Sequence, residues 1–336
     1  MLEDESGRIR LIGDAVKKAR LVTGVIIGAL GAETAGGDFE VIDICFPGLP
    51  PQPQPSSRDE DTKMDVDNAT DDWVALVSGL NVGSTSSSDT MIQLLVEYLS
   101  GEGGGEADQL SSSAISRLII AGNSIAPLDD GHLARNMGID PGSAFTPHPT
   151  HTLSGHLHDI AQVMPIHLLA GETDPSGTII PQQALPRGMF AGASSFASFV
   201  CETNPTYLRL DPLERTLLIN SGQPLNDMFK YLPSPPHTRL DILESTLKWR
   251  HIAPTAPDTL WCHPYFASDP FIIAQTPDLY IVGGQKKFGT RLVQDGNRKC
   301  RMIMVPDFSK TGTLVVANLK TLEVRTISFH VAGLAT

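Results

Sequence analysis

The chain has 336 residues, of which 41% are hydrophobic, and a formal net charge of −13. That length and composition suffice for a substantial core in one large domain or two smaller ones. The acidic balance argues against broad binding to nucleic-acid phosphates, which requires a basic face, and no stretch is long and apolar enough to span a bilayer.

The first fifty residues contain two predicted strands. Residues 20–30 and 39–46 have the composition of two strands, and the glycine-rich stretch GAETAGGD joins them as a hairpin. The charged start, MLEDESGRIRL, lacks the pattern of a secretory signal. Residues 51–72 are proline-rich and then acidic, without apolar periodicity, which predicts a disordered insert.

Residues 73–330 alternate between strand and helix patterns. Continuous apolar runs, typical of buried strands, lie at 73–80, 116–122 and 166–171. Helical spacing appears at 89–101, 153–162 and 240–249, whereas 101–113 is predicted to be a loop and 123–150 irregular. Shorter strands are predicted at 206–211, 215–222, 279–284, 302–308, 313–319 and 321–329. This order indicates an α/β (α+β) fold of two sheets flanked by helices.

The turns after these strands are where a two-metal phosphoesterase would carry its ligands. Such a centre draws carboxylate, imidazole and amide ligands from several strand ends, and its two ions clamp a phosphate and generate hydroxide. Calcineurin-like metallophosphoesterases carry Asp-x-His, Gly-Asp-x-x-Asp, Gly-Asn-His, a lone His and Gly-His-x-His at these points. The corresponding positions in this chain are Gly79, Asn81, Asn123, Glu172, Thr173, His251, Gly284 and Lys286.

Those eight residues do not form a two-metal ligand set. Glycine supplies no ligand atom, the ammonium group of Lys286 would repel a dication, and Asn123 lacks the charge of a bridging carboxylate. His251 stands where a lone histidine ligand would be. We therefore predict that the positions are vestigial and that the chain carries no metal and no cofactor.

Other histidine and cysteine patterns do not replace the lost ligands. SGHLHD contains His156 and His158 in the spacing of the final motif, but it precedes the third strand and lies on a predicted helix. Residues two apart on a helix point in different directions, so two surface histidines are predicted, and HPTH at 148–151 is predicted to be a loop. The four cysteines lack Cys-x-x-Cys spacing, which indicates reduced intracellular thiols. They are Cys45, Cys201, Cys262 and Cys300.

Stretches along nearly the whole chain resemble the B-subunit family of the eukaryotic DNA polymerases, in particular its delta branch. The longest and most specific is RHIAPTAPDTLWCHPYFASDPFI, residues 250–272. The others lie at 2–11, 21–31, 76–83, 170–175, 181–190, 203–205, 221–232 and 305–329.

This resemblance implies a calcineurin-like phosphoesterase domain that has lost its metals, preceded by part of an OB-type barrel. It implies a nuclear scaffold subunit in DNA replication and repair, which binds the C-terminal metal-cluster module of the polymerase delta catalytic subunit and a third accessory subunit. The polymerase zeta catalytic subunit is a further implied partner, DNA is reached through the complex, and no membrane is involved. The implied boundaries are 1–50 for the partial barrel, 51–72 for the insert and 73–330 for the inactive domain.

The family's barrel begins well upstream of the point where this chain starts. We therefore expect a fragment or a truncated gene model, whose unpaired strands would favour aggregation.

Two other function classes are considered from the residues. One is an active metallophosphoesterase with a rearranged ligand set, and the other is a DNA-binding module that uses the barrel remnant. Acidic residues outnumber basic ones by 38 to 25, which weighs against DNA binding even though KKFGTR at 286–291 is basic.

The aromatic residues of the 250–272 stretch are predicted to lie in the core. Trp261, Tyr265 and Phe266 carry much apolar surface, and nearby prolines fix the path of the chain. The alternative is a surface that binds a partner, where tryptophan and tyrosine often dominate the energy.

Overall fold

The computed structural model describes residues 1–53, 72–84, 86–127, 148–211 and 213–331. Most of the predicted insert, residues 54–71, lies outside the described residues, as do residues 128–147 of the stretch predicted to be irregular. The chain forms two compact units. The N-terminal unit comprises Met1–Pro53, Pro224–Thr276 and Val293–Lys299, and the sandwich unit comprises Gln54–Gln223, Pro277–Leu292 and Cys300–Thr336.

A six-stranded sheet forms one layer of the sandwich unit. Its central strands are continuous apolar runs because both faces of a parallel sheet are covered, and every residue of Trp73–Val77 is buried. Four neighbours run parallel, namely β6 (Trp73–Val77), β7 (Ile115–Ala121), β8 (Ile166–Leu169) and β9 (Phe199–Glu202). On the other side of β6 lie the antiparallel strands β15 (Thr313–Asn318) and β16 (Val324–Ser328).

The second sheet has five strands, which are β10 (Thr206–Leu210), β11 (Arg215–Asn220), β12 (Leu279–Gln285), β13 (Gly289–Asp295) and β14 (Arg298–Pro306). Their order in the sheet is β10-β11-β12-β14-β13. Strand β11 pairs in parallel with β12, and β12 pairs in parallel with β14. Strand β13 was not predicted, whereas the others agree with predicted strands to within a few residues.

The two sheets pack face to face, which confirms the predicted two-sheet fold. A buried cluster joins Leu76 and Ile119 of the six-stranded sheet to Ile219, Ile281 and Ile303 of the five-stranded sheet. The opposite face of the six-stranded sheet forms a second cluster with the helices that cover it. Alternate residues of one strand therefore enter two different cores, as the period of two requires.

Helices cover that outer face, and two of their boundaries correct the sequence predictions. Residues 101–113 are not all loop, because they contain a helix, and residues 148–151 form the first turn of a helix instead of a loop. The helices of the sandwich unit are α2 (Ser86–Leu99), α3 (Glu106–Ser113), α4 (His148–Ala161) and α7 (Phe308–Thr311). Short 3-10 turns lie at Arg187–Phe190 and Ala193–Ser195.

The N-terminal unit begins with a hairpin and a small sheet. Strand β1 (Leu2–Asp4) pairs with β2 (Gly7–Ile9), and the sheet has the order β3-β5-β4. Its elements are β3 (Leu11–Ile12), α1 (Asp14–Lys18), β4 (Gly28–Glu33) and β5 (Phe39–Cys45). The predicted hairpin is confirmed, although its first strand begins at Gly28 and not near residue 20. Between residues 1 and 46, Val22 and Val41 are the buried hydrophobic side chains.

Two helices complete the N-terminal unit, α5 (Gln223–Met228, whose first residue belongs to the sandwich unit) and α6 (Arg239–Trp249). Helix α6 starts with a capping box, in which the Thr238 hydroxyl and the Asp241 carboxylate each accept from the other residue's backbone N–H. It ends at Arg250, whose φ of 59° is left-handed. The Arg250 guanidinium donates to the carbonyls of Pro47, Gly48 and Leu49 at 2.9–3.2 Å.

The core prediction for the aromatic stretch is wrong for Trp261, Tyr265 and Phe266, whereas Phe271 is buried. Residues 252–255 are buried, but the exposed fractions of Trp261, Tyr265 and Phe266 are 71%, 51% and 98%. Pro257 and Pro264 are exposed, whereas Pro254 is buried. Among the described residues, no helix has both the length and the apolar character needed to cross a membrane.

Candidate functional site

The turns that follow β6 and β7 meet at one edge of the six-stranded sheet. The Gly79 amide donates to the Gly122 carbonyl at 2.9 Å, and the Asn81 amide donates to the Asn123 carbonyl at 3.0 Å. Carboxyl ends of parallel strands lie at the same edge, and the structure brings Gly79, Asn81 and Asn123 together there. Backbone contacts join these turns, and the Ser78 hydroxyl adds a side-chain link by donating to the Ala121 carbonyl at 2.8 Å.

Position 79 has no room for a ligand side chain. Its φ of 65° is left-handed, and a Cβ atom there would lie 2.5 Å from Asp307 Oδ1 and 2.8 Å from Asp307 Cα. Gly284 has a φ of 60°, and a Cβ would lie 2.8 Å from the Ser221 carbonyl oxygen. Both glycines are therefore required by backbone conformation and close approach.

The two asparagines stabilise the turns through their amides. Asn81 and Asn123 have left-handed φ angles of 46° and 54°, which asparagine adopts more readily than most residues. Asn81 Nδ2 donates to Ser309 Oγ at 2.9 Å and to the Gly79 carbonyl at 3.2 Å. Asn123 Oδ1 accepts from the Thr173 amide at 3.3 Å. The amide oxygen of Asn123 is thus directed to a neighbouring turn.

The turn AGETDP after β8 is built around Asp174, which is not among the predicted site positions. Oδ1 of Asp174 accepts from the amides of Ser124 and Ile125 at 2.8 and 2.9 Å, and Oδ2 accepts from the Gly171 amide at 2.8 Å. The Asp174 side chain is buried, and this burial raises the pKa of its carboxyl, while the backbone N–H donors oppose the shift. Asp174 therefore ties the third turn to the second.

Of the two predicted positions in this turn, Thr173 also links neighbouring turns, whereas Glu172 does not. The Thr173 hydroxyl donates to the Ile125 carbonyl at 2.8 Å, which adds a further link between the turns. Glu172 is exposed. A signal for Asp174 existed in the sequence, because aspartate in a short turn after glycine commonly accepts from nearby backbone N–H groups.

A buried amide network lies beneath these turns and was also missed. Asn204 Nδ2 donates to Gln182 Oε1 at 2.7 Å and to Gln223 Oε1 at 3.1 Å, and Asn204 Oδ1 accepts from the Ser221 amide at 3.1 Å. Gln182 Nε2 donates to the Gly171 carbonyl at 3.0 Å. Neutral amides that satisfy one another in this way make a fixed polar layer without charge.

The remaining two predicted positions lie outside this set of contacts. Lys286 is exposed, on the turn that follows β12. His251 belongs to the N-terminal unit. Its Nδ1 accepts from the Ala253 amide at 3.2 Å, which leaves Nε2 as the donor to Asp269 Oδ2 at 2.8 Å. Both ring nitrogens are thus engaged within that unit.

His156 and His158 of helix α4 are partly buried, which corrects the expectation of two surface side chains. Burial lowers the pKa of His156, with Asp159 and Asp89 opposing that shift. The His158 ring packs on Phe196 with 5.4 Å between ring centres.

The donor chemistry at these turns does not fit a pair of divalent cations. The groups that meet there are backbone amides and carbonyls, the hydroxyls of Ser78 and Thr173, two asparagine amides and two carboxylates. The Asp174 carboxylate is engaged by backbone N–H groups, and the Asp307 carboxylate is paired with Lys310. Among the described residues, no group of three or more His, Cys, Asp or Glu side chains could hold a metal ion. The arrangement stabilises the shape of the turns.

The fold and these turns define a class: a two-sheet α/β sandwich whose strand-end turns are held by glycines, amides and one buried aspartate. Two family models match the chain. The model for the DNA polymerase alpha/epsilon B-subunit covers residues 74–290, and the model for the DNA polymerase delta subunit OB-fold domain covers residues 1–44. The chain belongs to the DNA polymerase B-subunit family.

Relatives of known name resemble the chain over almost all its length. Those from Oryza sativa subsp. japonica and Arabidopsis thaliana are 37% and 38% identical over 98% of this chain and 73% and 72% of their own. The Saccharomyces cerevisiae relative is 36% identical over 98% of this chain and 70% of its own. All three are named DNA polymerase delta small subunit.

A solved structure described as a novel archaeal phosphodiesterase covers 76% of this chain and 99% of its own. Its TM-score of 0.38 and its identity of 10% are too low to support an inference.

Proposed function

We propose that this chain is a non-catalytic accessory subunit of nuclear DNA polymerase delta. In this role it binds the C-terminal module of the catalytic subunit and a further accessory subunit, and it acts in DNA replication and repair. The observation that carries the assignment is the 36–38% identity, over 98% of the chain, to relatives named DNA polymerase delta small subunit. DNA is reached through the complex, which agrees with the net charge of −13.

The lack of catalysis is proposed from the geometry of the strand-end turns. A phosphoesterase needs ions that polarise a phosphate and activate water. A Cβ atom at Gly79 would lie 2.5 Å from Asp307 Oδ1. The side-chain oxygen of Asn123 belongs to a neutral amide and accepts from the Thr173 backbone N–H. The competing function, an active enzyme with a rearranged ligand set, would have to assemble its donors from other groups.

The assembly role is tested by co-expression of the full chain with the C-terminal module of the catalytic subunit from the same organism. We expect a stable stoichiometric complex in size-exclusion chromatography. A purified, folded chain that shows no binding to the module by calorimetry would refute the role.

The absence of activity is tested with manganese, an aryl phosphodiester and single-stranded DNA as substrates. We expect turnover no greater than that of the buffer with Mn²⁺. Turnover that survives repeated purification and disappears in His251→Ala would support the rearranged enzyme, because His251 is the retained ligand-type histidine.

A further inference from the structure

A proline-rich turn, residues 233–236, joins the two helices that complete the N-terminal unit. It lies between α5 and α6, and all four of its residues are exposed. The chain is fixed on both sides of the turn, because the Leu232 side chain is buried and the capping box of α6 begins at Thr238. The turn therefore presents its single hydroxyl group, that of Ser234, to solvent.

Few backbone hydrogen bonds restrain this turn among the described residues. Pro233, Pro235 and Pro236 have no N–H to donate, and the His237 amide closes the turn by donating to the Pro233 carbonyl at 3.3 Å. Within the part of the chain that the structure describes, the Ser234 hydroxyl has no hydrogen-bond partner. A segment of this kind opens locally at low free-energy cost, so an enzyme can take Ser234 into its active-site cleft.

The structure distinguishes this hydroxyl from others that precede a proline. Ser234 belongs to a Ser-Pro dipeptide, and the sequence contains two Thr-Pro dipeptides, at 146–147 and 276–277. The first of these lies outside the described residues. Thr276 is fully buried, and its hydroxyl donates to the Pro50 carbonyl at 2.6 Å. The Thr276 hydroxyl is thus engaged and out of reach, whereas that of Ser234 is unengaged and exposed.

The sequence around Ser234 carries cations and no carboxylate. No aspartate or glutamate occurs from Met228 to Leu240, whereas Lys230 and Arg239 do. A phosphate group added to serine carries a charge of about −1.5 to −2, which neighbouring cations favour and neighbouring carboxylates oppose. This composition argues against a kinase that recognises acidic residues beside its acceptor, and the proline after Ser234 favours a kinase that recognises proline there.

We propose that Ser234 is a phosphorylation site for a proline-directed serine/threonine kinase. The Ser234 Oγ attacks the γ-phosphorus of ATP, and an O–P bond forms while the bond from that phosphorus to the bridging oxygen of ADP breaks. The hydroxyl proton passes to a base of the kinase, and the products are phosphoserine and ADP. This inference goes beyond the proposed function and does not depend on it, because it concerns the free chain.

The test incubates the purified full chain with ATP and a mitogen-activated protein kinase. Trypsin cleaves after Lys230 and Arg239 and releases YLPSPPHTR, whose fragment ions in mass spectrometry distinguish phosphate on Ser234 from phosphate on Thr238. We expect phosphate on Ser234 and none on Thr276. Ser234→Ala should abolish phosphorylation of this peptide and leave the melting temperature unchanged, because the side chain lies in solvent.

Two proline variants test the class of kinase. Pro235→Ala should lower the rate of phosphorylation at Ser234 by at least about tenfold, which is the discrimination that an apolar contact in a specificity pocket provides. Pro233→Ala is the matched control, because it removes the proline on the other side of the acceptor, and it should leave the rate unchanged. Equal rates in the wild type and in Pro235→Ala would overturn the proposal.

A synthetic peptide YLPSPPHTR tests the contribution of the folded turn. The kinase should phosphorylate both this peptide and the full chain at Ser234. Phosphorylation of the peptide without phosphorylation of the full chain would show that the turn does not open to the kinase. No phosphorylation of either would show that the sequence is not a substrate of this class of kinase, and both of these results would overturn the proposal.

Discussion

Replacement of Asp174 by alanine tests whether one buried carboxylate holds the strand-end turns together. The variant leaves the amides of Ser124, Ile125 and Gly171 without their acceptor. A buried donor that loses its partner costs about 1–3 kcal/mol. The three losses are not independent, since one carboxylate serves all three amides, so we expect a total of about 3–5 kcal/mol. That is a large fraction of the roughly 5–15 kcal/mol that stabilises an ordinary domain.

The assay is urea denaturation followed by tryptophan fluorescence, with Glu172→Ala as the matched control. Glu172 is exposed on the same turn, so its removal should change the free energy of unfolding by less than about 0.5 kcal/mol. Amide hydrogen exchange should speed up in Asp174→Ala at Ser124, Ile125 and Gly171. An Asp174→Ala variant as stable as Glu172→Ala, with unchanged exchange at these amides, would refute the reasoning.

Three further predictions follow from the same contacts. Arg250→Ala should lower the free energy of unfolding by about 2–3 kcal/mol, because the carbonyls of residues 47–49 lose their charged hydrogen-bond donor. A rate of proteolysis near residues 47–49 that equals that of the wild type would contradict this prediction. Gly79→Ala should lower the free energy of unfolding by at least about 2 kcal/mol, because alanine is strained at this left-handed φ and its Cβ would clash with Asp307. A melting temperature equal to that of the wild type would show that the turn can relax. Burial lowers the pKa of His156 below 6.5, so the unfolded state binds more protons and wild-type stability falls as the pH drops from 6.5 toward the lowered pKa. His156→Gln should flatten that fall in chemical denaturation at several pH values, and an identical pH profile in both proteins would refute the assignment.

The parts of the fold that the sequence predicts well are those where one force dominates. Strand β6 is an unbroken apolar run because both of its faces are covered. Helix α6 has its cap residues and its apolar spacing in agreement, and the prediction of 240–249 differs from the observed helix by one residue. Local preference and tertiary burial favour the same structure in both elements.

The elements that were missed are those where local composition and tertiary context disagree. The stretch that forms α3 follows a run of glycines and is rich in serine, so composition favours a loop. The helix nevertheless forms after Gly105, whose amide donates to the Asp108 carboxylate at 3.0 Å, and its Ser112 is buried. The start of α4 at His148 likewise lacks apolar spacing in its first turn.

The core prediction for the aromatic stretch failed for a different reason. Hydrophobicity alone does not distinguish a side chain that packs in its own chain from one that packs against a partner, because both remove apolar surface from water. Trp261 and Phe266 are as apolar as core side chains, but both are exposed to solvent. Ile252 and Ala253, which precede them in the same stretch, are also apolar and are buried.

The sequence places Gly79, Asn81 and Asn123 in turns at strand ends, but it does not predict the contacts that hold these turns together. Ligand chemistry, read from the sequence, identified glycines and amides where metal ligands would stand. The structure adds that a side chain at Gly79 would meet Asp307 backbone, that a Cβ at Gly171 would lie 2.2 Å from the Asn123 amide nitrogen, and that one at Gly122 would lie 2.5 Å from Ser221 Cβ. These turns are closer to one another than a shell of ligand side chains permits. Placing a side chain at any of these three glycines would therefore require the neighbouring turn to move.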